Sequence, residues 1–179
     1  MRIYPDCHFI TKEVGVGGLT KLQLIQKLKQ QSVRMNEYAN VLLSNDKFTP
    51  SDTKYSLKIV ELTVRNLGFP AGATISQLFK RAIELDLELC PLELGTYLRL
   101  EYLNQPEVYV EKFSQPYQAP PGSITIASEI LINDDYFPKG FYLKNSNGVL
   151  WLRGYIADDL HVWNADDCFA FCQTTNFKQ

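Results

Sequence analysis

Three pairs of adjacent aspartates, Asp134-Asp135, Asp158-Asp159 and Asp166-Asp167, and the histidine His161 inside "ADDLHVWNADD" are residues whose types and spacing suit chemistry. Carboxylates beside an imidazole bind divalent ions or move protons. On that ground His161, Asp158, Asp159, Asp166 and Asp167 are the candidate residues of a small metal-assisted hydrolase. Aspartates also bond their own backbone in turns between strands, which explains the same letters without a reaction. No G-x-S-x-G, H-E-x-x-H or EF-hand pattern occurs.

The four cysteines, Cys7, Cys90, Cys168 and Cys172, are too few and too scattered for a disulfide framework, so reduced thiols are the expectation. Cys168 and Cys172 bracket "CFAFC", which as a strand puts both on one face about 13 Å apart. That is no zinc knuckle. His8 beside Cys7 would share a metal with Cys168 or Cys172 only if the termini meet, and nothing in the spacing requires it. No metal site is assigned and no cofactor is expected.

A second candidate site is a surface. In "GFYLKNSNGVLWLRGY", residues 140–155, Asn147-Gly148 stands between two apolar runs, and a type I′ hairpin turn needs positive φ at both central residues. With these as the loop, Ser146 pairs with Val149, Lys144 with Trp151 and Tyr142 with Arg153. One face then carries Phe141, Leu143, Leu150 and Leu152; the other carries Tyr142, Lys144, Trp151 and Arg153. A three-residue loop would mix the two sets. Lys144 over Trp151 and Arg153 beside Tyr142 would form cation–π pairs worth roughly 0.5–1 kcal/mol each when exposed. Flat aromatic and basic faces also hold single-stranded nucleic acid. The competing reading is that the cations shield the rings, or that part of the chain packs over them.

Glycines in "EVGVGGLTK" lie between an expected strand and a helix, where free amides can cradle phosphate. Their spacing is neither G-x-x-x-x-G-K-[ST] nor G-x-G-x-x-G, and a turn into a helix cap explains the same letters. Without a Walker A lysine the chain is not an autonomous ATP-driven motor of the usual kind.

The elements that must position these residues begin with a weak duplication. Gly18, Thr20, Gln23 and Leu24 fall on Gly72, Thr74, Gln77 and Leu78 when "GLTKLQLIQKLKQQSVRMNEYANVLL" is laid on "GATISQLFKRAIELDLELCPLELGTYL". Each copy opens with a T-x-x-Q capping box, and in the second Ile75, Leu78, Phe79, Ala82 and Ile83 recur at helical spacing. An extended apolar pair follows each helix, Val33 and Met35 or Leu87 and Leu89. A second element follows, announced by Asn36 in the first copy and Pro91 in the second. The stretch 91–103 fits a helix or a strand. "SLKIVELTV" reads as a strand and "HFITKEV" as a weaker one. After a proline-bearing loop with room for an edge strand, "SITIASEIL", the hairpin and "CFAFC" are β.

The expected fold is therefore α+β. Residues 1–105 are mainly helical, with duplicated helix-turn-helix-like units at 18–43 and 72–97 and one or two strands. Residues 106–179 are mainly an antiparallel sheet with the Asn-Gly hairpin, and the whole is expected to form one compact domain. With 179 residues, 45% hydrophobic and 12% aromatic, the chain can bury a core of that size. A net charge of -2 disfavours non-specific nucleic-acid binding. No stretch approaches the roughly 20 apolar residues that cross a bilayer, and the start lacks a signal-peptide pattern. A cytoplasmic protein without membrane contact is expected.

At "NEYANVLL", "ATISQLFKRAIELDLELCPLELGTYLRLEYLNQP" and "FPKGFYLKNSNGVLWLRGYIADDLHVW" the chain resembles a family of small uncharacterised proteins of bacilli and actinobacteria. The resemblance runs over nearly the whole chain. Some members carry the label helicase, and the resemblance implies no catalytic residues. The expected function is a non-enzymatic binding or protein-interaction module. Lys21, Lys27, Lys29 and Arg34 make the first unit basic; Glu84, Asp86, Glu88, Glu93 and Glu101 make the second acidic. That pairing favours a protein partner or self-association over nucleic acid.

Overall fold

The structure, a computed structural model, describes residues 9–108 and 119–173. β1 (Ile10–Val16) ends in Gly17 and Gly18, both at positive φ. α1 (Lys21–Gln30) follows because Thr20 and Gln23 satisfy each other's amides in a capping box. Its inner face is Leu24 and Leu28. The chain turns at Ser32 (φ 56°), extends through β2 (Arg34–Met35) and enters α2 (Glu37–Ser44), where the Asn36 side chain accepts from the Ala39 amide.

β3 (Tyr55–Thr63) then leads through Gly72 to β4 (Ala73–Thr74), and a Thr74–Gln77 capping box starts α3 (Ile75–Glu84). Asp86 (φ 58°) turns the chain into β5 (Leu87–Glu88), and α4 (Leu94–Glu101) follows. Five strands complete the order: β6 (Ile124–Ile126), β7 (Gly140–Ser146), β8 (Val149–Tyr155), β9 (Val162–Trp163) and β10 (Cys168–Gln173). The helices of each N-terminal pair are joined through a two-residue strand where a helix-turn-helix unit has a turn. Those extended residues serve as sheet partners, β2 beside β8 and β5 beside β10.

One mostly antiparallel, eight-stranded sheet runs β1-β3-β10-β6-β7-β8-β2, with β5 also on β10, while β4 and β9 pair separately. Alternation along each strand sends side chains to two cores. On one face Val14, Ile59, Ile124, Phe141, Leu143 and Leu152 pack beneath α1, α2 and α4. On the other Val60, Leu62, Phe169 and Phe171 pack with Leu78 of α3, Tyr155 and Trp163. The architecture is α+β, with four helices among the described residues.

β7 and β8 pair with Ser146 opposite Val149, Lys144 opposite Trp151 and Tyr142 opposite Arg153. Asn147 and Gly148, between them, have φ of 52° and 73°. At the far end of β8 the Asn36 amide nitrogen donates to the Gly154 carbonyl, and the Gly154 amide donates back to the Asn36 side-chain oxygen. This seats α2 so close that a Cβ on Gly154 would lie 2.6 Å from the Tyr38 carbonyl carbon.

Residues 94–101 are helical, which settles the ambiguous stretch. Leu94 through Arg99 are all buried, so no polar face marks the helical period, and the leucines fit a strand alternation equally well. Arg99 is fully buried. It donates to the Gln105 side-chain oxygen at 2.6 Å, to the Trp151 carbonyl at 3.4 Å and to the Tyr102 carbonyl. Gln105 in turn donates to the Gly122 and Leu143 carbonyls at 3.0 and 3.2 Å. Burial lowers the Arg99 pKa to about 10, and its bonds go to neutral acceptors. This network ties α4 to the middle of the hairpin.

Candidate functional site

Two loops at one edge of the second core carry the first two aspartate pairs, and Asp135 and Asp158 meet at one cavity. Asp134 accepts from the Tyr136 amide at 2.8 Å, and Asp158 accepts from the Leu160 and His161 amides at 2.9 and 2.8 Å. Both are side-chain-to-backbone turns of the kind aspartate favours. Asp135, Tyr136, Ile156, Ala157, Asp158 and His161 line a cavity of about 290 Å³. The His161 ring meets the edge of Trp163 at 4.9 Å between centroids, and Trp163 stacks edgewise on Tyr155 and Phe169. Burial lowers the His161 pKa while Asp158 raises it. The net shift is downward, so the ring is largely neutral near pH 7.

The third pair lies elsewhere. Asp166 forms an exposed ion pair with Arg65 at 3.2 Å. Asp167 is buried and accepts from the Asn164 amide at 2.8 Å. Both line a different cavity, of about 420 Å³, together with Glu61, Tyr102, Gln105 and Cys168. Burial pushes the Asp167 carboxyl up to about 6 and the Cys168 thiol up to about 12. Glu61 is paired with Lys12 at 3.0 Å, and the Lys12 ammonium lies 3.5 Å from the centre of the Tyr102 ring.

The five candidate acid-base residues therefore do not converge. Asp158 and His161 share one cavity, Asp166 and Asp167 another, and Asp159 lines neither. Among the described residues no three His, Cys, Asp or Glu side chains gather to hold a metal. The single centre expected from "ADDLHVWNADD" is divided because turn formation claims Asp158, and burial beneath the neighbouring loop claims Asp167. Cys7 and His8 lie outside the described residues.

The hairpin face is half-buried at Tyr142, Lys144, Trp151 and Arg153. Arg153 serves both rings, its guanidinium carbon 5.8 Å from the Tyr142 centroid and 5.1 Å from that of Trp151. Lys144 stands opposite Trp151 in register, yet the cation over that ring is Arg153. Tyr142 packs against the second core, and Arg34 of β2 is the parallel partner of Trp151.

The first glycines form the capped turn, and the acidic set of the second unit loses one member. The amides around the first glycines already have acceptors: Gly18 donates to the Ser51 carbonyl, Leu19 to the Tyr97 hydroxyl and Thr20 to Gln23. That is a capped turn rather than a phosphate cradle. Glu93 is not part of an acidic surface. It is buried, and it accepts from the Ser51 amide at 2.9 Å and the Tyr55 hydroxyl at 2.6 Å.

The loops also carry a feature that composition does not announce. Tyr136 is 87% exposed, Leu160 84%, Val162 56% and Ile156 41%. Tyr136 and Ile156 line the His161 cavity, while Leu160 and Val162 flank His161 in the chain. Around them stand Asp134, Asp135, Asp158 and Asp159, all exposed. Among the described residues Lys139, buried, donates to the Asp134 carbonyl at 3.0 Å. The sequence signal was local. A large apolar residue directly follows the aspartates in "DDY" and again in "DDL".

The chain matches no family model, no curated protein and no solved structure. No helix among the described residues is long and apolar enough to cross a membrane.

Proposed function

We propose that this chain is a non-enzymatic protein-interaction module. Its contact surface is the patch of Tyr136, Ile156, Leu160 and Val162, and the ligand it suits is a basic amphipathic segment of a protein partner. The observation that carries this reading is the exposure of four large apolar side chains on two loops that share one cavity, Tyr136 and Ile156 lining it and Leu160 and Val162 flanking its His161 in the chain. Exposed apolar side chains clustered within a polar rim mark interaction sites, and fully burying each would be worth roughly 1.5–3 kcal/mol before association costs. Four aspartates against one buried lysine leave the rim negative, so lysine or arginine beside leucine is the complementary chemistry. The metal-assisted hydrolase is the weaker reading, since Asp158 and His161 lack a third ligand among the described residues.

A short synthetic helix of leucine and lysine is the probe. Fluorescence anisotropy should show it binding at low salt and weakening as salt rises. Binding should fall by at least about tenfold, or about 1.4 kcal/mol, for the double variant Tyr136→Asp with Leu160→Asp. Equal affinity of variant and parent would sink the reading. Sedimentation velocity of the protein alone provides a second arm. Self-association abolished by the same variant would make the partner a second copy, whose α1 presents Lys27, Lys29 and an exposed Leu22.

A second reading, single-stranded nucleic acid on Tyr142, Lys144, Trp151 and Arg153, is favoured by one observation: Trp151 has Arg34 and Lys144 as its register partners on the two neighbouring strands and Arg153 near its ring. Quenching of Trp151 by oligonucleotides at low salt would support it.

The fold reading has its own finer step, a duplication of the N-terminal units. Supporting it are Gly18 and Gly72 (φ 88° and 90°), the two capping boxes, fully buried Leu24 and Leu78, and Ser32 and Asp86 (φ 56° and 58°). Kinship with the bacterial family that the motifs resemble belongs to the same proposal, with interaction in place of helicase activity.

A further inference from the structure

Cys90 and Cys172 are separated by 82 positions, yet their sulfurs lie 3.0 Å apart. Both are free thiols, both are buried, and both belong to the first core. Their placement follows from the sheet. Cys172 of β10 is opposite Glu88 of β5, and Cys90 follows two residues later, its amide donating to the Ala127 carbonyl at 2.7 Å. The Ala127 amide donates to Ala170 on β10 at 3.0 Å. The Cys90 sulfur is also 3.7 Å from the Ala170 carbonyl. Backbone bonds on both sides therefore hold the two sulfurs against each other. About 1 Å of further approach separates them from a disulfide bond length.

We propose that Cys90 and Cys172 form a redox site, closing to an intramolecular disulfide that joins the lead-in of α4 to β10. The oxidant is a low-molecular-weight disulfide. One protein thiolate attacks it, releasing the first small thiol and leaving a mixed disulfide. The second protein thiolate then attacks the protein sulfur of that mixed disulfide and releases the second small thiol. Two protein sulfurs each lose one electron, two small-molecule sulfurs each gain one, and the two thiol protons pass to the released thiols. Burial and the neighbouring sulfur push the Cys90 thiol well above its ordinary value. The folded protein therefore exchanges slowly, and the bond forms while the chain folds or opens locally. Cys168 is the internal contrast, for no sulfur contact accompanies it among the described residues.

The test uses full-length chain carrying Cys7→Ser and Cys168→Ser, so that only Cys90 and Cys172 remain. It is refolded with mixtures of reduced and oxidised glutathione, denatured, alkylated and weighed. The expected product is monomeric, lighter than the reduced chain by two hydrogens, and takes up no alkylating reagent. Its peptide map joins Cys90 to Cys172, and its denaturant midpoint is higher than that of the same sample after reduction. Native, folded chain under the same mixture should oxidise at least tenfold more slowly. Two alkylated cysteines after oxidative refolding, or stable glutathione adducts on either, would overturn the proposal. A cross-linked chain that is less stable than the reduced one would equally contradict a site built to close.

Discussion

The β7–β8 hairpin and the paired loops at 134–136 and 156–162 are both built from charge beside large apolar side chains, and the fold uses them in opposite ways. In the hairpin Arg153 covers Tyr142 and Trp151, Tyr142 enters the second core, and Arg99 fastens the ribbon from its other side. In the loops the aspartates bond inward to their own turn amides, and that leaves Tyr136 and Leu160 pointing outward. A cation above a ring can complete a local structure. An apolar side chain held out by a hydrogen-bonded turn has no partner within its own turn to complete it, and this is why the proposed interaction surface is the loops.

The comparison breaks first at Arg99. Replacing it with alanine takes away the donor to the Gln105 side-chain oxygen and to the Tyr102 and Trp151 carbonyls beneath the hairpin and opens a cavity, so denaturant melts should show a loss of about 3–5 kcal/mol. Lysine at the same place should recover only part of it, since an ammonium lacks the planar fork. If Arg99→Ala costs less than about 1 kcal/mol, the hairpin is not held from that side.

Next in size is a pH effect that separates the buried aspartate from the exposed pairs. Burial first, then the nearby Asp166 charge, raise Asp167 to about 6 from an ordinary 3.8, against the lowering bonds from the Asn164 and Ala119 amides. The folded state therefore holds a proton that the unfolded state has lost between these values. Stability should fall as pH rises from about 4 to about 6, by at most about 3 kcal/mol. Asp167→Asn should flatten that part of the profile, whereas Asp158→Asn should leave it intact.

Gly154→Ala drives a methyl into the backbone of Tyr38 and Ala39 at the start of α2. Neither side can yield cheaply, and a loss of about 1–3 kcal/mol is expected by chemical unfolding. The smallest expected effect on stability is the most informative about function. Tyr136→Asp with Leu160→Asp should change unfolding by no more than about 0.5 kcal/mol, because these side chains are already in water. A large loss there would mean that the patch is part of the core.

How much of this was legible in the sequence follows from how local each cause is. The capping boxes at Thr20 and Thr74, the Asn36 cap and the pairing of Ser146 with Val149 depend on residues within one turn, and the letters that cause them are adjacent. α4 was ambiguous because it is buried on every side. β4 and β9 are two residues long, too short for any period to show. The Arg99 and Cys90 contacts join residues 52 and 82 positions apart and leave no local mark. At the candidate site, the aspartate letters suit chemistry and turns alike, and only the fold shows which amides Asp134 and Asp158 bond. The outward apolar residues beside them were visible in "DDY" and "DDL" but meaningful only once both loops met.

Amide chemical-shift mapping with the leucine-lysine helix tests the central claim most directly, because it reads both regions in one titration of the unaltered protein. Shifts concentrated at 134–136 and 156–162, with 142–153 unmoved, are the predicted result. Shifts concentrated on Tyr142, Lys144, Trp151 and Arg153, with the loops silent, would contradict it.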